Sequence, residues 1–399
     1  METLLQKLAV SHIATPQVNT NDTGNQHFPL NDAEMRLAQL WAGVLKQNRH
    51  CITRNDHFFE LGGGSLKAAN LLFRIQREFQ VTLSLHDIYS RPTLLSMAAK
   101  IEEEIDKLRN SECMVLLNMA GRDADNIFLI HDGSGDIQGY TALAGNLQHF
   151  NCWGVRCQTL LEYGPQNREL RELAHEYVRL IKLRQPVGPY YIGGWSLGGT
   201  IAYEVVRQLE EDGDRVEVCV MIDCQFPDEN NRNLFQPVPA FTLEDDKQMI
   251  TGFFNYTSSF LENANTLEAL WELTVVVLNE YQVDREKIES LIPLHIRQLI
   301  PHFTRLDSEE IVRYMNTIRT LERAINNYKP FGRLSARLIY IKAAESEWDI
   351  NSYRDYCIDE MNIAILNGTH FTLMQPPYVQ ALAGFIQAAL SKNTSEMIA

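Results

Sequence analysis

Gly194-Trp195-Ser196-Leu197-Gly198 sets a serine hydroxyl between two glycines, behind the β-rich run Tyr-Tyr-Ile-Gly-Gly at 190–194 and ahead of a helical run carrying Ile201, Val205, Val206 and Leu209. Glycine on both sides permits the strained strand-to-helix turn that lifts a serine above the C-terminal edge of a sheet, next to a helix N-terminus. The spacing alone is a weak pattern, and a solvated serine in a glycine-rich turn is its bland explanation. The strand-turn-helix context is what makes it specific. Serine is a poor nucleophile at neutral pH, so acyl transfer at Ser196 requires a histidine to accept its proton and an acid to orient that histidine. Among eleven histidines, His370 alone has the expected place in chain order, just after the final β-rich run Ile-Ala-Ile-Leu at 363–366 and before a helix led by Pro376 and Pro377. Two acids qualify: Asp223 directly follows the run Val-Cys-Val-Met-Ile, and Asp349 lies in an acidic loop after Leu-Ile-Tyr-Ile-Lys. Asp223 is favoured, because an aspartate abutting a long buried strand has fewer ordinary explanations.

A tetrahedral oxyanion needs two backbone N–H donors, one from the residue after the nucleophile, here Leu197. The second belongs in the loop after an earlier strand, and His131-Asp132-Gly133-Ser134-Gly135 stands there, with Gly133 as the candidate donor. His131 precedes the serine and reads as shaping this loop. A second serine, Ser65, follows three glycines in Phe58-Phe59-Glu60-Leu61-Gly62-Gly63-Gly64-Ser65-Leu66 at the start of a helix. The glycines leave its hydroxyl open to a large partner, and the helix dipole favours a phosphodiester there. Taken alone, Ser65 reads as a good N-cap.

The elements that must carry these residues are legible in the hydrophobic pattern. From Asn31, the residues Met35, Leu37, Leu40, Trp41, Val44 and Leu45 recur at helical spacing, a second helix starts near Ser65, and Pro92 opens a third. Residues 31–106 therefore read as a small all-helical bundle, preceded by a polar linker over 1–30 and followed by a short linker over 107–113. Beyond it, β-rich runs at 114–118, 127–131, 153–157, 190–194, 216–223, 338–342 and 363–366 alternate with helical segments, which predicts a mostly parallel, doubly wound sheet with helices on both faces. The alternation stops between Gln225 and Tyr328. There Leu267, Leu270, Trp271, Thr274, Val277, Leu278 and Tyr281 mark one helix face, and Ile311, Met315, Ile318, Leu321 and Ile325 another, so a helical insertion is expected.

Composition bounds the function. At 399 residues the chain is long enough for two or three domains, and 45% hydrophobic with 22% charged residues is ordinary for a globular protein. The net charge of −15 repels nucleic-acid phosphates and anionic lipid, which excludes a basic nucleic-acid binder. Residues 31–104 hold nine acidic and nine basic side chains, so the excess acidity belongs to the α/β part and argues against a polyanionic substrate. Seven scattered cysteines read as reduced thiols, no metal site is indicated, and the lack of a signal-like start or a long apolar run points to a cytoplasmic protein.

With these residues in hand, the chain resembles a known pair of domains. Residues 31–106 look like a peptidyl carrier protein of nonribosomal peptide synthetases, through the match of Phe58–Leu66 to F-x-E-L-G-G-x-S-L. The resemblance implies a four-helix carrier bundle with 4′-phosphopantetheine on Ser65. It departs at Gly64, where such carriers usually have His or Asp. Residues 114–399 are similar to type I thioesterase domains, through the serine elbow, the Asp after the next strand, the insertion and the terminal Gly-x-His-Phe. That implies an α/β-hydrolase fold with a helical lid at about 225–328, and a Ser196, His370, Asp223 triad. The oxyanion loop of this family commonly reads His-Pro-x-x-Gly, and Asp132 stands in place of the Pro. The implied activity is release of a carrier-tethered acyl or peptidyl chain through an acyl-enzyme, by hydrolysis or cyclisation. The implied partners are upstream condensation and adenylation domains and a phosphopantetheinyl transferase, with neither nucleic acid nor membrane. Two other readings compete: a free-standing serine esterase with an appended helical binding domain, and a non-enzymatic scaffold with a relict elbow. Neither accounts for both serine motifs.

Overall fold

A computed structural model describes residues 31–399 except 80, 226–236, 255–258, 281–285, 287–289, 291–293, 299, 301–304, 349–350, 360 and 392–399. The chain divides into two compact units, Met1–Ser111 and Glu112–Ala399.

In the first unit, helices α1 (Asp32–Leu45), α2 (Ser65–Phe79), α3 (Leu85–Ser90) and α4 (Leu94–Cys113) follow one another. Asn31 starts α1 with a capping box: its Oδ1 accepts the Glu34 N–H at 2.8 Å, and the Glu34 carboxylate accepts the Asn31 N–H at 2.9 Å. Glu34 is buried, and Arg54 Nε donates to it at 2.8 Å. Periodic apolar residues from the four helices, among them Leu37, Trp41, Leu71, Ile75, Ile88, Met97 and Ile101, share one core with Phe58 of the connecting loop. Trp41 and Phe58 meet edge to face at 5.2 Å.

The boundary between the two units, after Ser111, falls within the segment 107–113 expected as a linker, and that segment is helical. Helix α4 continues to Cys113, and the first strand starts at Met114. The reason is local, since no Gly or Pro occurs between Thr93 and Ala120. In addition, Lys100–Glu104 at 2.7 Å and Lys107–Glu103 at 3.0 Å staple successive turns at i,i+4 spacing.

The second unit is built on a seven-stranded sheet of order β1-β3-β2-β4-β5-β6-β7, where β1 is Met114–Asn118, β2 Asp125–Ile130, β3 Phe150–Val155, β4 Tyr190–Trp195, β5 Val216–Ile222, β6 Arg337–Ala343 and β7 Asn362–Leu366. Each of the seven β-rich runs overlaps one strand. Only β1 is antiparallel to its neighbour; the other pairs are parallel. Helices α5 (Thr141–Asn146), α6 (Leu170–Arg184) and α7 (Leu197–Glu211) follow β2, β3 and β4. One face of the sheet packs on α6 and α7, the other on α5 and the C-terminal helix at Tyr378–Ser391, giving two separate cores. The parallel register pairs Trp195 with Ile222 and Ile222 with Ile341, so the C-terminal ends of β4, β5 and β6 lie side by side. Residues just past those ends are thereby brought together.

Between β5 and β6 the described residues form helices and no strand, with α8 (Leu243–Phe254), α9 (Leu267–Glu280) and α10 (Ser308–Asn326) the longest. On the α9 face, Leu270, Trp271, Thr274, Val277 and Leu278 are buried, and Tyr281 lies outside the described residues. Ile311, Val312, Met315 and Ile318 of α10 join Leu270 and Trp271 in a local core, while Leu321, Ala324 and Ile325 of the same helix belong to the core of α6 and α7. Asp246 of α8 is the polar tie of this region: it is fully buried, accepts Trp271 Nε1–H at 2.8 Å and pairs with Arg319 at 2.7 Å. Among the described residues no helix is long and apolar enough to cross a membrane.

Removing the carboxylate from this tie would strand the Arg319 guanidinium and the indole N–H. Asp246→Ala is expected to lower the unfolding free energy of the second unit by about 3 kcal/mol. Urea unfolding followed through tryptophan fluorescence reads the change.

Candidate active site

The end of β4 turns into α7 through Ser196, whose φ of 58° and ψ of −131° are left-handed values that a side chain rarely adopts. The flanking glycines are sterically required. A Cβ on Gly194 would sit 2.1 Å from the carbonyl of Gly198, and one on Gly198 would sit 2.4 Å from the backbone oxygens of Ile130 and His131. Tyr140 ties the turn to β2: its buried phenol donates to the Ile130 carbonyl at 2.5 Å and accepts the Trp195 N–H at 2.6 Å.

Ser196 Oγ lies 3.0 Å from His370 Nε2, and His370 Nδ1 lies 2.7 Å from Asp223 Oδ2. Asp223 is fully buried at the end of β5, with φ of 41°, and its Oδ1 accepts the Ala343 N–H at 2.9 Å. An ionised carboxylate can only accept, so Nδ1 carries the imidazole proton and Nε2 is left to accept from Ser196. Ser196, His370 and Asp223 are thus brought together; Asp349 lies outside the described residues. Sequence reasoning missed the support of His370. Trp195 Nε1–H donates to the His370 carbonyl at 3.1 Å, with the two rings 5.2 Å apart, and the Trp348 ring lies 6.1 Å away on another loop. Nothing in the serine pattern distinguishes the tryptophan inside it from any other residue.

Leu197 opens α7, so its N–H has no carbonyl four residues back within the helix and points out of its N-terminus. Gly133 is buried in the turn after β2. That turn is shaped by Asp132, whose Oδ1 accepts both the N–H (2.8 Å) and the hydroxyl (2.6 Å) of Ser134, while its carbonyl accepts the Gly135 N–H at 3.0 Å. This is an Asx turn, so the aspartate folds the loop by hydrogen bonding where proline would do it by ring closure. His131 is fully buried and serves the loop: Nδ1–H donates to the Asp132 carbonyl at 2.7 Å, and Nε2 accepts from Tyr177 at 2.6 Å. Burial pushes the Asp132 carboxyl up to about 6, with the Ser134 bonds opposing.

In the first unit, Ser65 is exposed and is the first residue of α2, one step inside the cap position that its sequence suggests. Gly64 precedes it and accepts the Ala68 N–H at 2.8 Å. A Cβ on Gly63 would strike Phe58 at 2.4 Å, whereas one on Gly64 would meet nothing within 4 Å. Tyr89 of α3 stacks on Phe59 at 4.7 Å and places its phenol 3.0 Å from Ser65 Oγ. Leu66 beside it is 87% exposed. An open hydroxyl at the N-terminus of a helix, with space around it and a phenol within reach, fits a phosphodiester-linked arm.

Both regions of the chain match known families. A family profile described as a thioesterase domain matches residues 125–390, and one described as a phosphopantetheine attachment site matches residues 36–101. The chain is 25% identical over 353 residues to a dimodular nonribosomal peptide synthase of Bacillus subtilis, covering 87% of this chain and 14% of that protein. It is 30% identical over 204 residues to an atromentin synthetase of Serpula lacrymans, covering 49% of this chain and 21% of that one. The chain therefore spans about a fifth or less of these two relatives. A four-domain nonribosomal peptide synthetase solved with AMP and glycine shares the fold, with a TM-score of 0.52 and 23% identity over 95% of this chain and 28% of that chain.

The buried Asp132 carboxyl makes stability depend on pH. Its folded pKa near 6 lies above the ordinary value near 4, so the folded state holds a proton that the unfolded chain releases. Its contribution to stability is complete below about pH 4 and is lost as pH rises through about 6. Relative to Asp132→Asn, the wild type should lose stability between pH 4 and pH 7, read as a difference in urea midpoints.

Proposed function

From the premise that the chain belongs to the thioesterase domain family and carries a phosphopantetheine attachment region ahead of that domain, we propose that it ends a carrier-bound synthesis. An acyl or peptidyl chain held at Ser65 is passed to Ser196 and released by water, or by an amine or hydroxyl of the chain itself. One observation carries this reading: an exposed helix-initial serine and a serine in hydrogen-bond contact with a histidine–aspartate pair occur in the same chain. A free-standing esterase has no use for the first.

Ser65 is the residue proposed to hold 4′-phosphopantetheine, which supplies a terminal thiol that bears the acyl chain as a thioester. Ser196 Oγ attacks the thioester carbonyl while His370 Nε2 takes its proton. Leu197 and Gly133 N–H groups meet the oxyanion, where preorganised donors act most strongly. As the tetrahedral centre collapses, the carbon–sulfur bond breaks and His370 returns the proton to the sulfur. Asp223 keeps the His370 tautomer and stabilises the imidazolium. In the second half His370 deprotonates the incoming water or internal nucleophile, and Ser196 leaves with that proton. The helices over 225–328 are proposed as the lid that excludes water when a ring is to form. Upstream condensation and adenylation domains and a phosphopantetheinyl transferase are the partners this role requires.

The test is intact mass after incubation with coenzyme A and a broad-specificity phosphopantetheinyl transferase. Wild type should gain one phosphopantetheine and Ser65→Ala none. No gain in the folded wild type would contradict the carrier role and favour a serine esterase with a helical binding domain.

A further inference from the structure

The loop that carries Gly133 is closed by Asp136, a buried carboxylate whose two oxygens are held from two different elements. Oδ1 accepts Arg156 Nε–H at 3.0 Å, just past β3, and the Ile137 N–H at 2.8 Å. Oδ2 accepts the Tyr314 hydroxyl at 2.7 Å. Tyr314 lies on α10, the last helix of the insertion and 178 residues away in sequence. Three residues further along α10, Thr317 lies against the same loop: a Cβ on Gly135, whose φ is +81°, would come within 2.4 Å of Thr317 Cγ2. Burial, followed by the Asp136 charge, holds the Tyr314 phenol well above its ordinary range, so it remains a donor. The C-terminal part of α10 is packed into the core of α6 and α7, which fixes the helix to the sheet.

We propose that Tyr314, acting through Asp136, is a positioning residue for acyl transfer: α10 holds the Asp132–Asp136 loop where the Gly133 N–H meets the developing oxyanion. The insertion then has a second role besides covering the site, because one of its helices sets the geometry of a donor. The inference rests on the reading of Ser196 as nucleophile and Gly133 as donor. A hydrogen bond to a buried carboxylate is strong, and losing it leaves an oxygen that must find water or move, and the loop moves with it. A donor contributes to catalysis only at the position the oxyanion will occupy, so a small displacement acts on the transition state and not on the bound substrate.

Tyr314→Phe in the full chain, assayed with a soluble acyl thioester, is expected to lower kcat about tenfold and leave KM within about twofold, a fraction of the loss from deleting an oxyanion donor outright. A trifluoromethyl ketone analogue, which forms a tetrahedral oxyanion adduct on the nucleophile, should bind about tenfold more weakly to the variant, whereas the matching thioether, which has no carbonyl to attack, should bind unchanged. Asp136→Asn/Tyr314→Phe should cost no more than the worse single variant, because both act through one contact. Asp136→Asn carries the same comparison should Tyr314→Phe not fold. Ser196→Ala separates the two ideas: if it retains activity, the nucleophile reading fails. If it is inactive while Tyr314→Phe keeps wild-type kcat and ketone affinity, the positioning role alone is overturned. An equal loss of ketone and thioether affinity would also overturn it, by showing a packing defect.

Discussion

The whole arrangement depends on how closely three stretches of backbone approach at the end of β4. Ser196 stands at φ 58° because the chain must reverse there with the carbonyls of Ile130 and His131 on one side and α7 on the other, and a Cβ at Gly194 or Gly198 would collide with that backbone. A left-handed non-glycine residue costs on the order of 1–3 kcal/mol, and it persists where neighbours leave no alternative. Here they include the Ser196 N–H bond to the Ile222 carbonyl at 2.9 Å and the Tyr140 bridge. Asp223, on the adjacent strand end, has φ of 41° under the same kind of constraint, its N–H bonded to the Ile341 carbonyl at 2.7 Å. Among the described residues the third non-glycine with positive φ, Lys46, only ends a helix. Strain in the second unit thus coincides with Ser196 and Asp223, the two residues that hydrogen-bond to His370.

Electrostatics around the proposed oxyanion site follow from a conflict. A loop that must present N–H groups to a developing negative charge also contains Asp132 and Asp136, both buried. The Arg156 guanidinium beside Asp136 balances one charge, and burial pushes the other carboxyl up to about 6. Each aspartate also spends its acceptor capacity on the loop and its supports. The carboxylates therefore act as braces whose field is absorbed locally, and the helix N-terminus at Leu197 faces no uncompensated charge from its own first turn, which has no acidic residue.

Much of this was legible in the residues, and for stated reasons. Seven β-rich runs each met a strand, the central ones because parallel strands buried on both faces read as continuous apolar segments. The place of Ser196, Asp223 and His370 at strand ends could be read because chain order and strand ends are linear features. The helical conformation of the segment 107–113 was not legible, since a polar stretch between two patterns looks like a break until the i,i+4 ion pairs that lead into it are counted. Taken alone Ser65 reads as a cap, whereas Gly64 precedes the helix and accepts the Ala68 N–H, and nothing in a Gly-Gly-Gly-Ser string says which residue turns first. Tyr314 was invisible: it sits on a helix whose neighbours Ile311, Met315 and Ile318 mark an apolar face, and only the tertiary fold brings its hydroxyl to Asp136. The same holds for the Trp195 indole and the His370 carbonyl.

The proposed handover of an acyl group from Ser65 to Ser196 within one chain can be followed directly. The direct measurement is to load the Ser65 arm enzymatically with an acyl-pantetheine, quench on the second scale, and locate the acyl mass by peptide mapping. Acyl is expected on the Ser196 peptide in wild type before release, and is expected to stay on the Ser65 peptide in Ser196→Ala. Release from Ser196→Ala at the wild-type rate, with no acyl ever found on the Ser196 peptide, would contradict the handover.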